Sequence, residues 1–292
     1  MEGPTDSEAS SPRERESGLT RNVQLTYFGL RLGIVILVLL LFVSVIHVIT
    51  TENDWLRSLS SYYYTPARAV FVGSLCAIGA ALIVYRGNTD TENVLLDFAG
   101  FLAFIVAFVP TDLDESCGYC TGLAPEDVSA AISNNVVAAI SVGFAAILAG
   151  LFARKLLGLE EDKQSRAARV SMWVSFVAIV LAGGYFALNT DQVEEHGHEV
   201  AAIFFFVFII RVVAVNARDL SGRFDWTPEG LWSAATNRYG LIAILMVVTL
   251  VVLFLTRNGF DHWILALEAL LIGQFAVFWG FQTEELRGRE SR

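Results

Sequence analysis

Eight blocks of 17–20 mostly apolar residues are the feature of this sequence that most restricts its fold. A helix of that length crosses about 30 Å of hydrocarbon. The segment GIVILVLLLFVSVI is apolar on every face, which is atypical of a soluble bundle. The sequence therefore predicts an all-α fold, a polytopic transmembrane helical bundle of about eight spans. The predicted spans cover residues 31–49, 66–85, 94–110, 134–152, 170–188, 199–217, 239–256 and 262–280.

The ends of the chain differ in composition from these blocks. Residues 1–26 are mostly polar and of mixed charge, and they predict a disordered cytoplasmic tail. The first apolar block is too long for a cleaved signal peptide, and no small-x-small site follows it. We therefore assign residues 27–283 to an eight-helix transmembrane domain and 284–292 to a second cytoplasmic tail. The short connections leave no room for a soluble domain.

The basic residues predict the orientation of the bundle. When eight spans alternate and the N-terminus lies inside, seventeen of the twenty Lys and Arg residues fall on the inner side. Such an excess marks the cytoplasmic face, so both termini are predicted to be cytoplasmic and the membrane to be the plasma membrane. The outer loops are acidic and would repel phosphate, which argues against nucleic acid as a partner. Membrane lipids are the partners that the composition predicts.

The stretch SSYYYTPARAVFVG brings aromatic rings and a cation to the start of the second block. Thr65 is predicted to be the N-cap of this helix, followed by Pro66 at its first position. Tyrosine is typical of the membrane interface, and we expect at least one of residues 62–64 to face protein. Arg68 would lie near the positive end of the helix dipole, which disfavours a cation, so it either snorkels outward or has a carboxylate partner. The candidates are Glu268, Asp112 and Glu199.

Glu268 is predicted to lie about two turns inside the outer surface and to face the bundle interior. It is then paired, protonated or placed in a wet cavity. We expect it to approach Arg68, with His198 nearby. A purely structural role, holding helices together, is the alternative. The ligand-binding candidates at this end are Tyr62, Tyr63, Tyr64, Arg68, Asp112, His198 and Glu268.

The cytoplasmic half of the bundle is predicted to be poorer in polar groups. Asp97 and Arg211 are expected there as a structural pair.

The motif CGYC places Cys117 and Cys120 in the loop after the third block. Outside the cell, such a pair favours a short disulfide. A redox dithiol is an alternative, although the only other cysteine, Cys76, lies within a span. A zinc site is another alternative, with His196 and His198 of EEHGHE completing a Cys2His2 set. No cofactor is predicted.

Several of these segments resemble a family of uncharacterised bacterial multi-pass integral membrane proteins. The resemblance rests on YYYTPAR, on FVPT at the end of the third block, on HEVAAIFFF, on TNRYG and on HWILALEALLIGQFAVFW. It implies several membrane helices in a bacterial membrane, with no activity or cofactor. A weaker likeness to DUF998-type proteins rests on VPTD alone. The matching positions outside the ligand-binding candidates are Thr65, Gly73, Pro110, Thr111, Asn237, Arg238, Tyr239 and Trp279.

Two functions fit the sequence. The first is the binding or transport of a small ligand in an outward-facing polar cavity built from Tyr64, Arg68, His198 and Glu268. The second is a membrane-embedded enzyme, metal-dependent or not, that acts on a lipid or quinone at the outer leaflet. No catalytic motif was found, so the sequence decides neither the substrate nor between transporter, enzyme, sensor and scaffold. The oligomeric state also stays open.

The orientation gives a first prediction. Ser129 lies in a loop that the charge distribution places outside the cell. Ser129→Cys, in a chain whose three native cysteines are replaced by serine, should react with a membrane-impermeant maleimide on intact cells. Labelling that appears only after lysis would reverse the orientation.

Overall fold

The computed structural model describes residues 12–113, 117–120, 125–156, 166–222 and 227–290. Within these residues the fold is all-α, as predicted, with nine α-helices and two short 3-10 helices. The 3-10 helices are Ser60–Tyr64 and Arg257–Gly259. The α-helices are α1 Pro12–Glu52, α2 Arg68–Val84, α3 Asp90–Phe108, α4 Pro125–Leu156, α5 Arg166–Leu188, α6 Thr190–Leu220, α7 Pro228–Thr236, α8 Arg238–Thr256 and α9 Trp263–Glu290.

In the part of the chain that the structure describes, six helices contain a segment that is long and apolar enough to cross a membrane, so the chain is that of a membrane protein. Helix α2 is also apolar but has only 17 residues. Large apolar side chains on the outward faces, such as Val251 and Phe254, are exposed and contact lipid in a bilayer. The six segments are Arg21–Glu52, Asp90–Phe108, Asp127–Ala145, Thr190–Leu220, Arg238–Gly259 and Trp263–Glu285.

The tail boundary differs from the predicted one. Helix α1 already begins at Pro12, so residues 12–26 are helical. Residues 1–11 lie outside the described residues. At the other end of the chain, α9 continues to Glu290.

Helices α1 and α9 run antiparallel and define the two ends of the bundle. Midway along α1, Arg31 donates to the carbonyl oxygen of Gln282, which lies late in α9. Beyond the end of α1, the carbonyl of Arg57 accepts from the backbone N–H of Leu265 at 3.0 Å. We call the first the Glu92 end and the second the Glu268 end, after the buried carboxyl group in each.

Helices α2 and α3 approach closely through two glycines. A Cβ atom placed on Gly79 would lie 2.7 Å from the carbonyl oxygen of Gly100, and one on Gly100 would lie 2.6 Å from that of Gly79. Neither position therefore has room for a side chain. Such contacts between small residues let helix backbones approach in membranes.

Helix α4 lies at the edge of the bundle. In its apolar segment only 6% of the residues are buried, compared with 33–39% in the other five. The loose packing of α4 leaves an open space against α3, α5 and α6, which is described below.

The close crossing of α2 and α3 gives a second prediction. Gly79→Ala should lower the free energy of unfolding in detergent by about 1–3 kcal/mol, because the helices must separate to admit the methyl group. Gly73→Ala in the same helix is the control, since a Cβ there meets nothing within 4 Å. The midpoint of unfolding in mixed micelles measures both. Equal midpoints for the two variants would show that the crossing is not tight.

Candidate functional site

The segment Ser58–Thr65, between α1 and α2, is folded into the protein at the Glu268 end. All three tyrosines of its 3-10 helix are buried, so interfacial anchoring does not account for any of them. Thr65 does not cap α2. Its hydroxyl donates to the carbonyl of Tyr62 at 2.8 Å and accepts from the N–H of Ala67 at 3.1 Å, and α2 begins three residues later, at Arg68.

The tyrosine hydroxyls hold this segment in place. The hydroxyl of Tyr62 accepts from the backbone N–H of Leu56 at 3.3 Å. That of Tyr64 donates to the carbonyl of Thr111, beyond the end of α3, at 2.8 Å. Burial, with smaller contributions from Tyr63 and Asp112, raises the pKa of Tyr64 to about 12. Tyr64 therefore remains a neutral donor at physiological pH.

Arg68 has a different partner from the one predicted. Its guanidinium donates to the hydroxyl of Tyr63 at 2.7 Å and lies 4.3 Å from the centre of that ring. A tyrosine face attracts a cation and costs no second charge. Both Arg68 and Glu268 are described, and no ion pair joins them. A direct ion pair between Arg68 and Glu268 is therefore absent, and their approach through one water molecule stays a prediction.

Glu268 is buried, as predicted, and its partners come from the Ser58–Thr65 segment. One carboxyl oxygen, Oε2, accepts from the backbone N–H of Leu59 at 2.6 Å. The other, Oε1, lies 3.4 Å from the hydroxyl of Ser60. This carboxyl group therefore joins α9 to the segment that precedes α2.

His198 joins two more elements to the same cluster. Its Nδ1 lies 2.6 Å from the carbonyl oxygen of Val109, at the end of α3, and its Nε2 lies 2.8 Å from Ser60 Oγ. A carbonyl can only accept, so Nδ1 carries a hydrogen. In the neutral ring, Nε2 then accepts from the serine hydroxyl.

Glu268, Ser60 and His198 form a hydrogen-bonded chain in which the serine hydroxyl lies between a carboxyl group and an imidazole. With a proton on Glu268, the serine would accept from the carboxyl group and donate to the imidazole. With that proton on His198 instead, the serine hydrogen bonds would run the other way. Neither arrangement has a net charge, which suits a site without Arg or Lys inside a membrane.

The cavity beside this chain is small. It has about 20 Å³ open to the centre of a water molecule, which is room for a single water. Apart from Glu268 and Ser60 its walls are apolar side chains of the surrounding helices, such as Phe71 and Phe205. The hydrogen bonds of Glu268, Ser60 and His198 could transfer a proton, but this cavity has no room for a substrate. Of the four residues predicted to surround a polar cavity, Tyr64, Arg68, His198 and Glu268, only Glu268 lines this one, so the predicted cavity stays a prediction.

The other candidates lie apart from this cluster. Asp112 is exposed, and His196 is exposed beside Glu195 at 3.6 Å. Cys117 and Cys120 form the predicted disulfide, with their Cα atoms 5.5 Å apart. Among the described residues no group of three or more potential metal ligands occurs. The Cys2His2 alternative is not assembled.

A second polar cluster, at the Glu92 end, was not predicted. Gln282 donates to the Asn216 side-chain oxygen at 2.6 Å, and Asn216 donates to Glu92 at 2.8 Å. Glu92 also accepts from the backbone N–H of Asn88 at 2.8 Å. Arg31 donates to the hydroxyl of Tyr85 and to the carbonyl of Gln282. These bonds join α1, α3, α6 and α9, so the expectation of a poorer half is wrong.

The motif TNRYG serves the same end of the bundle. Asn237 caps α8, since its side-chain oxygen accepts from the N–H groups of Tyr239 and Gly240 at 3.1 and 3.0 Å. Its amide donates to the carbonyl of Ala217 in α6 at 2.7 Å. Arg238 forms an ion pair with Glu285 of α9.

The pair expected at the same end is also different. Asp97 lies 3.4 Å from Arg86, not beside Arg211.

A large cleft lies between α3, α4, α5 and α6. Its volume is about 750 Å³, within the range of pockets that hold small molecules. The walls are mainly apolar, with side chains such as Phe101 and Ile140. Along α6 the cleft extends from Gln192 to Ala201, about 14 Å at 1.5 Å per residue. Its polar lining residues are Asn135, Tyr185, Gln192 and His196.

The polar residues form a rim at the Glu268 end of the cleft. Within it, the Tyr185 hydroxyl donates to the side-chain oxygen of Gln192 at 2.8 Å. The lining of the cleft includes Val109 but none of the side chains of Ser60, His198 and Glu268. Among the residues predicted from sequence to bind a ligand, it includes none.

Comparison with known proteins gives no relative. No protein-family model, no curated protein and no solved structure matches this chain. The resemblance carried by YYYTPAR therefore stays a prediction.

The carboxyl group of Glu268 gives a third prediction. Glu268→Gln keeps an oxygen that accepts from the Leu59 N–H, so it should unfold within about 1 kcal/mol of the native chain. Glu268→Ala leaves that buried N–H without an acceptor and opens a cavity, so it should lose about 2–4 kcal/mol. Unfolding in mixed micelles measures both changes. A loss in Glu268→Gln as large as in Glu268→Ala would mean that the negative charge itself is required.

Proposed function

We propose that this protein is an eight-span plasma-membrane protein that binds a lipid-like amphiphile in the cleft between α3, α4, α5 and α6. The observation that carries the proposal is the cleft itself, with about 750 Å³ of mainly apolar space beneath a polar rim. An apolar chain would lie against the walls and a polar head would reach the rim. The cleft is about half as deep as a hydrocarbon core, which matches one leaflet.

The proposed topology has both termini in the cytoplasm. The antiparallel contacts between α1 and α9 support an even number of spans, since they bring the first and last helices together at both ends. The two further spans are α2, with 17 residues, and α5, with 23. The excess of basic residues favours the Glu92 end as the cytoplasmic side. The rim then faces outside, in keeping with a bacterial plasma-membrane protein that takes its ligand from the outer leaflet or beyond.

Binding or transport has more support than catalysis. The Glu268 cluster could move a proton, but the adjoining cavity has room for only one water molecule. The cleft offers space, and its lining has no nucleophile next to a base. An enzyme acting on a lipid or quinone therefore has no observation in its favour within the described residues.

The cleft gives a fourth prediction. Sixteen-carbon chains that carry a diazirine, one with an alcohol head and one with a carboxylate head, should crosslink to α3, α4 or α6 of the full-length protein. Ala139→Phe fills the cleft and should lower this crosslinking at least fivefold. Val137→Phe is the matched control, because Val137 is exposed on α4 and does not line the cleft. Peptide mapping by mass spectrometry measures the yield.

Two outcomes would contradict the proposal. One is the absence of crosslinks to cleft residues with either head. The other is equal crosslinking in Ala139→Phe and Val137→Phe, which would indicate ordinary contact with bulk lipid.

A further inference from the structure

We infer that the cleft accepts an amphiphile whose head is uncharged and both donates and accepts hydrogen bonds, such as an alcohol, and that it rejects anionic lipids. The inference rests on the proposed function, because it concerns the same cleft. It is carried by the charges and hydrogen-bonding groups around the rim.

The first observation is the absence of Lys and Arg from the helix segments around the cleft. The sequence has no Lys or Arg between Arg86 and Arg154, and none between Arg169 and Arg211. These two stretches include all of α3, most of α4 and α5, and the part of α6 that lines the cleft. A phosphate or carboxylate at the rim would therefore find no basic partner from these helices, although such groups are usually bound by Arg or Lys.

The second observation is the acidic start of α6. Asp191, Glu194, Glu195 and Glu199 all lie within its first three turns. Glu194 accepts from Ser129 at 2.8 Å, which fixes that carboxylate between α4 and α6. Negative charge at this end of the cleft would repel an anionic head.

The third observation concerns the groups that line the rim. Asn135, Tyr185 and Gln192 are uncharged and supply both donors and acceptors, and His196, the fourth polar lining residue, adds an imidazole beside the Glu195 carboxylate. No carboxylate is among the described lining residues, so a cationic head that moved from water into the cleft would find no anionic partner there. An uncharged head that both donates and accepts fits this lining best.

Competition on the full-length protein tests the inference. The diazirine alcohol is the labelled probe, and unlabelled hexadecanol, palmitate and hexadecyltrimethylammonium are the competitors. Hexadecanol should displace the probe from the cleft peptides at a concentration at least tenfold lower than either charged competitor. If palmitate or hexadecyltrimethylammonium displaces the probe at the same concentration as hexadecanol, the inference is overturned and the proposed function stays intact. No crosslinking of the cleft at all would remove the proposed function itself.

A pair of charge variants gives a second readout. Gln192→Lys places a cation on the rim and should lower the concentration of palmitate needed for half displacement at least fivefold. Glu229→Gln changes the net charge by the same amount on an exposed residue of α7, at the Glu92 end and away from the cleft, and it should leave that concentration within twofold. Equal effects in the two variants would mean that a general field, not the rim, selects the head, and would overturn the inference.

A phospholipid that stays bound provides the last outcome. Native mass spectrometry of the protein in its membrane lipids should show no anionic phospholipid that is lost in Ala139→Phe and kept in Val137→Phe. Such a lipid would overturn the inference.

Discussion

The hydrogen bond from the Leu59 N–H to Glu268 is the contact on which the arrangement of this bundle depends most. In hydrocarbon every polar group must find its partner inside the protein. The Ser58–Thr65 segment is not an α-helix, so its backbone groups need acceptors and donors from elsewhere. Glu268 supplies an acceptor from α9, and Ser60 passes the contact on to His198 of α6 and through it to the end of α3. One carboxyl group thereby fixes the position of three helices around a short irregular segment.

Polar clusters at both ends of the bundle solve the same problem in different ways. At the Glu92 end, Arg31 and Glu92 bring opposite charges into one network of amide and hydroxyl groups. At the Glu268 end no Arg or Lys takes part, and a serine hydroxyl links a carboxyl group to an imidazole. Because a serine hydroxyl both donates and accepts, the hydrogen bonds of this second cluster could run in either direction. The cleft between α3, α4, α5 and α6 includes none of the three side chains of this cluster, and no carboxylate, Lys or Arg is among its described lining residues.

Much of the fold could be predicted from the sequence, because an apolar block of about 20 residues has few alternatives to a membrane helix. Burial of Glu268 and the presence of His198 beside it followed from the cost of charge in lipid. The hydrogen-bond partners of Glu268 could not be predicted, because they are a backbone N–H group and a serine whose positions depend on a 3-10 helix. Arg68 was expected to snorkel outward or to pair with a carboxylate, yet its guanidinium lies over the ring of Tyr63 and donates to the Tyr63 hydroxyl. The Glu92 cluster was missed because Arg31 and Glu92 lie near block ends, where charges are usually topology signals. The cleft could not be predicted from a sequence motif, since its walls are mainly ordinary apolar residues.

The distance along the chain between Leu59 and Glu268 has a consequence for biosynthesis. The two residues are 209 positions apart, so the Leu59 N–H leaves the ribosome long before its acceptor exists. Until α9 is inserted, the irregular segment carries an unpaired polar group at the edge of the membrane. A chain truncated before α9 therefore lacks the acceptor of the Leu59 N–H, at a site far from the truncation. Helix α9, which is synthesised after α1–α8, supplies the hydrogen bond that fixes the Ser58–Thr65 segment between α1 and α2.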